Sequence, residues 1–111
     1  MNNGIQIFQG QTTTATSVAF WVSTPTSYRQ PNSIPLLGIY GTIGTCTLQL
    51  QWKAPDGNWY DCNEPGLVPA KIGLYKLPVC GEVPLRLSYT AGAGSDISAF
   101  VYDGQWKPNT T

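Results

Sequence analysis

Side chains able to move protons or hold a metal are few in this chain of 111 residues. There is no histidine, and the acidic side chains are Asp56, Asp61, Glu64, Glu82, Asp96 and Asp103. General acid–base catalysis near neutral pH needs a group that titrates there, most often His, or two carboxylates held together in a desolvated pocket. Asp56 stands in a Pro-Asp-Gly turn, Glu64 precedes Pro65 and Glu82 follows Gly81, so turn geometry and solvent account for all three. Nothing in the sequence brings Asp61 and Asp103 together. Cys46, Cys62 and Cys80 form an odd set without a C-x-x-C pair, which gives neither a complete disulfide framework nor a zinc knuckle. With no His to lower a thiol pKa, they read as buried structural cysteines. Asp56-Gly57-Asn58 offers calcium a single carboxylate, and Gly38, Gly41, Gly44, Gly92 and Gly94 lack the strand-to-helix setting of a phosphate loop. The expectation is a protein that is not an enzyme, with no catalytic residues, no metal and no cofactor.

The charge balance narrows the partners. Lys plus Arg and Asp plus Glu cancel, and charged residues make up 11% of the chain against about 25% in an average soluble domain. Ser, Thr, Asn and Gln together number 32. A neutral chain with scattered cations lacks the electrostatic term that dominates nucleic-acid affinity, so nucleic acid is not an expected ligand. No apolar run reaches the roughly 18 residues of a membrane span, and Met1-Asn2-Asn3-Gly4 has neither a basic nor an apolar signal region, which predicts no membrane partner and folding in a cytoplasm. Hydroxyls and amides are cheaper to bury than ammonium or carboxylate groups, and sparse charge weakens repulsion between copies. The surface therefore suits an assembled protein.

These residues must be positioned by strands. Apolar side chains alternate with polar ones, and Gly or Pro interrupts almost every stretch long enough for a helix. The pattern predicts an all-β single domain spanning 1–111, with about eight short antiparallel strands in a β-sandwich. Jelly-roll topology is included in that reading, and a small barrel is the second choice. In the strand Thr45 to Trp52, Cys46, Leu48, Leu50 and Trp52 point to one face. Ala54-Pro55-Asp56-Gly57-Asn58 closes a three-residue hairpin loop. That loop sets Trp52 opposite Tyr60 and Leu50 opposite Cys62 on the inner side, leaves Trp59 and Asp61 outside, and keeps Cys46 away from Cys62. Further strands are expected at 4–8, 17–22, 36–40, 71–77, 83–90 and 96–103, the last two pairing as a second hairpin through Ala91–Ser95. Long surface loops are expected at 9–16 and 23–35, and a polar, loosely held tail at 105–111.

Faces then sort the aromatics. Phe20, Tyr89, Trp52 and Tyr60 join the inner set, whereas Trp21, Trp59 and Trp106 fall on outer faces or the tail. Exposed indoles either stack on sugar rings or anchor protein interfaces.

The segment Cys46-Thr47-Leu48-Gln49-Leu50-Gln51-Trp52-Lys53-Ala54-Pro55-Asp56-Gly57-Asn58-Trp59-Tyr60-Asp61-Cys62, followed by Val83-Pro84-Leu85-Arg86-Leu87-Ser88-Tyr89, resembles small β-rich virion proteins of tailed bacteriophages. Those carry a strand reading like T-L-Q-x-S-P-D-G-x-W-x-D, then an apolar strand with a central Arg. The match covers about a third of the chain, and Lys53-Ala54 stands where a Ser often does. The resemblance implies a capsid cement or decoration protein on the outside of the virion, assembled in the host cytoplasm. Its partners would be the major capsid protein and other copies of itself, as trimers. On that reading the contact elements are Trp21, Trp59, Trp106 and the 9–16 loop, with Arg29 and Arg86 as hydrogen-bonding partners. The alternative is a carbohydrate-binding module or host-attachment domain with Trp59 and Trp21 as its sugar platform.

Overall fold

The computed structural model describes residues 4–22, 35–78 and 82–102. Arg29, Cys80, Asp103, Trp106, most of the expected 23–35 loop and the 105–111 tail lie outside the described residues. Among those described there is no helix, and eight strands follow one another: β1 (Gly4–Gln11), β2 (Ala15–Thr16), β3 (Leu36–Thr42), β4 (Thr47–Lys53), β5 (Trp59–Asp61), β6 (Gly73–Lys76), β7 (Leu85–Thr90) and β8 (Asp96–Tyr102). They form two sheets of four, with orders β1-β8-β3-β6 and β2-β7-β4-β5.

That order has a simple origin. β1 pairs with β8, β2 with β7, β3 with β6 and β4 with β5, all antiparallel. The chain is thus one long hairpin whose tip is the turn after β4, rolled up so that successive pairs alternate between sheets. The additional pairings β3 with β8 and β4 with β7 close each sheet. This is jelly-roll topology.

The tip follows from turn chemistry. The Ala54 N–H donates to the Asn58 carbonyl at 2.9 Å and the Gly57 N–H to the Ala54 carbonyl at 2.9 Å, while Gly57 takes a positive φ of 87°. Trp52 pairs with Tyr60, and the Cys62 N–H reaches the Leu50 carbonyl at 2.7 Å, which is the predicted register. Cys62 is thereby held opposite Leu50 rather than Cys46, and Cys46 is a buried thiol.

Three expectations need correction. β7 and β8 are not a hairpin, because they lie in different sheets. The Ala91–Ser95 link arches between layers and runs beside the 43–46 link, which makes the parallel crossing from β3 to β4. The two are zipped together: the Ala93 N–H donates to Thr45 Oγ1 at 2.7 Å, and the Thr45 N–H donates to the Ala93 carbonyl at 3.2 Å. The 9–16 stretch is not one loop, since Gln9–Gln11 extend β1 and Ala15–Thr16 are β2; its polar residues find a ladder to join, and Ala15 packs against the core. Finally, the 17–22 strand is reduced to a bridge at Phe20 with Leu85, because Ser17 intrudes on the ladder: its Oγ accepts the Leu87 N–H at 2.9 Å.

The core lies between the sheets. Leu37, Ile39, Ile97, Ala99 and Val101 from one inner face meet Leu48, Leu50, Leu85, Leu87 and Tyr89 from the other. Phe8 and Tyr89 touch across the layers, with ring centroids 5.9 Å apart. The Tyr89 hydroxyl, buried with them, is satisfied by Ser95 Oγ.

Candidate interaction face

The strand period of two that sends Leu48, Leu50, Leu85 and Leu87 inward sends their neighbours out, onto the outer face of the β2-β7-β4-β5 sheet. Gln51 lies between Arg86 on one side and Asp61 on the other in the ladder, and Lys53 is opposite Trp59. The Arg86 Nε–H donates to Gln51 Oε1 at 2.9 Å, and Gln51 Nε2 donates to Asp61 Oδ1 at 3.1 Å. The two ions fix the orientation of the amide, since only the oxygen can accept from Arg and only the nitrogen can donate to Asp. Arg86 also lies over the Trp59 ring, its guanidinium carbon 4.4 Å from the centroid, a cation–π stack. One cation, one anion, one amide and one indole are thereby locked into a single surface patch.

Trp21 belongs to the same side. Burial alternates along Ala19, Phe20, Trp21 and Val22, so the buried Phe20 that bridges to Leu85 leaves Trp21 facing out, one strand over from Arg86, and 55% exposed. The structure therefore assembles Trp21, Arg86 and Trp59 on one face, while Arg29 and Trp106 fall outside the described residues. The 9–16 stretch is not one loop beside them: its first part is an edge of the other sheet, and its last part, β2, is the edge strand next to β7 on this one.

Trp52 and Tyr60 are not core residues. Both sit at the distal end of the β4–β5 hairpin, outside the buried stack, and are 36% and 45% exposed. They pack on each other instead, at 5.8 Å between ring centroids. The Tyr60 hydroxyl donates to Asp56 Oδ2 at 2.7 Å, and the Asn58 N–H donates to Asp56 Oδ1 at 2.8 Å. Those two bonds, the tyrosine first, hold the Asp56 carboxyl below the ordinary aspartate range. Burial has the opposite effect on Cys46, pushing its thiol above the ordinary cysteine value.

Beside Trp52 is an open groove of about 530 Å³, walled by Leu85, Val83 and Pro78, with Asn63 and Glu64 at its polar side. Sequence reading missed it. The signal was available in part, because Asn63-Glu64-Pro65 directly follows the hairpin strand that places Trp52, but the far wall is brought in from after β6. No group of His, Cys, Asp and Glu suited to a metal occurs among the described residues. No protein-family model, no curated protein and no solved structure matches the chain.

Proposed function

We propose that the protein is a bacteriophage capsid cement or decoration protein, which binds the outside of the major capsid shell through the outer face that carries Trp21, Trp59 and Arg86. The observation that carries the reading is the locked patch on that face. Side chains already held by one another lose little rotamer freedom on binding, and Trp and Arg are the residue types that dominate interface energies. The jelly roll supports it as a body whose loops and faces can be covered without disturbing a shared core, and jelly rolls occur in viral capsid proteins as well as lectins. Fold alone does not assign function; the resemblance of the β4–β5 hairpin to virion proteins points the same way as the face.

The mechanism is linkage. A protein that binds the assembled shell and not its separated subunits stabilises the shell by roughly 2.7 kcal/mol per site when its free concentration is about 100 times Kd. The effect is repeated at every site. The test is addition of purified protein to capsids that lack it. Saturable, stoichiometric uptake with a raised disruption temperature is expected, and the double variant Trp59→Ala, Arg86→Ala should bind far more weakly. Failure of the wild-type protein to add, with the fold intact, would overturn the reading.

A glycan-binding module is the second reading, and the groove beside Trp52 is what favours it. The Trp59 ring lies under Arg86, whereas Trp52 borders open space next to an amide and a carboxylate, a combination suited to a neutral sugar. Saccharide binding abolished by Trp52→Ala, together with indifference to capsids, would move the assignment there.

A further inference from the structure

The two outer faces of the sandwich are unlike. On the β2-β7-β4-β5 sheet, β4 and β7 turn out Thr47, Gln49, Gln51, Lys53, Arg86, Ser88 and Thr90, the polar face expected where an antiparallel sheet meets water. On the other sheet that alternation fails. β3 turns out Leu36, Gly38 and Tyr40, β8 turns out Phe100 and Tyr102, and β6 adds Leu74 opposite Gly38, while the polar groups there are spoken for: Gln6 Nε2 donates to the Tyr40 hydroxyl at 2.9 Å and Ser98 Oγ accepts the Gly10 N–H at 3.0 Å. Leu74 is 66% exposed, Tyr40 45% and Tyr102 42%. The Phe100 and Tyr102 rings pack at 4.7 Å between centroids. Gly38 is the floor: a Cβ there would stand 3.5 Å from Leu74 Cδ2 and 3.6 Å from the Tyr102 ring, so those two side chains close over it into a continuous apolar surface.

Among the described residues, charge on this face is confined to its two ends. Lys76 is opposite Leu36 at one end of β3, and Asp96 is opposite Thr42 at the other, six residues or roughly 20 Å away. The sheet edges are poor alternatives for association. β1 is kinked by two register shifts in its pairing with β8, and the other edges, β6, β2 and β5, are four, two and three residues long.

We propose that this face packs against the same face of a second copy, about a two-fold axis that lies between the sheets and crosses the strands obliquely, perpendicular to the line from Lys76 on β6 to Asp96 on β8. That axis turns the partner end for end. The apolar centre then meets its own copy, and Lys76 of each chain faces the Asp96 end of the other, giving two equivalent ion pairs as an isologous contact requires. A pair follows from this geometry, where the resemblance to virion proteins implies a trimer. Four strands at about 4.8 Å spacing over about 20 Å give a footprint on the order of 400 Å² per copy, about half that of a standard specific interface and in the range of weak, transient contacts. The dimer is therefore weak in free solution.

Sedimentation equilibrium of the full chain without capsids tests this independently of shell binding. From about 1 μM to about 1 mM the protein should pass from monomer to dimer. Leu74→Asp, at a position exposed enough to keep the fold, should weaken the dimer by roughly tenfold or more, with near-ultraviolet circular dichroism confirming intact packing. Lys76→Asp and Asp96→Lys should each weaken it, and the two together should restore it. A monomer throughout the range, a trimer, a dimer indifferent to Leu74→Asp, or a double charge variant no better than the single ones would overturn the proposal. So would dimerisation by a chain ended after Tyr102 but not by the full chain, which would assign the face to the protein's own tail.

Discussion

Arg86 makes two distinct contacts whose geometries depend on the guanidinium shape. It stacks flat over Trp59 and points Nε at Gln51. A lysine keeps the charge but has no planar group to stack and no fork to aim. Arg86→Ala is expected to lower stability by about 2 kcal/mol, the sum of a partly exposed cation–π stack and one charge-assisted hydrogen bond, and Arg86→Lys should recover little of it in urea unfolding. Asp56 gives a pH signature. Its folded pKa is depressed, so its contribution to the hairpin is present above the unfolded aspartate pKa and is lost as pH falls through the lower, folded value. Carbon-detected titration should place Asp56 below ordinary aspartates, and Tyr60→Phe, which removes the leading cause, should move it back toward them; an unchanged midpoint would contradict the assignment. These contacts were only half legible in sequence. Alternation put Trp59 and Arg86 on outer faces, but nothing local says that Gln51 stands between Arg86 and Asp61, because that depends on β7 being the other neighbour of β4.

At the level of elements, the hairpin was readable because its turn chemistry is local: Pro, Asp and Gly at fixed offsets set the register of Trp52 with Tyr60 and Leu50 with Cys62. The Ala91–Ser95 link misled for the same reason. Five small residues between two strands look like a hairpin turn, and what makes them an arch is a distant partner, Thr45, whose hydroxyl and backbone hold Ala93. Two glycines separate these cases experimentally. Gly57, at φ 87°, faces open space, so Gly57→Ala meets only backbone strain, about 1 kcal/mol. Gly44, at φ 57°, would drive its Cβ into the Ala93 carbonyl of the neighbouring arch. Gly44→Ala should therefore destabilise by clearly more than Gly57→Ala in matched denaturant titrations. Equal effects would mean that the arches are not packed as described. The inner-face assignment of Trp52 and Tyr60 failed for a related reason, since alternation tells which side a residue takes but not where the opposing sheet stops.

For the whole molecule, rolling a single hairpin brings the first and last strands, β1 and β8, together while the β4–β5 turn forms the tip. Most pairings are far apart in sequence, so folding is expected in the millisecond-to-second range and as one cooperative step, because neither sheet has a core without the other. Leu50→Ala, at a fully buried position facing the opposite sheet, should cost about 2–5 kcal/mol. The central claim is that a capsid shell covers the Trp59–Arg86 face, and hydroxyl-radical footprinting of the protein on shells tests it most directly. Trp59 and Trp21 should lose reactivity on binding while Trp52 keeps it. Uptake with Trp59 and Trp21 as reactive as in the free protein would contradict that claim.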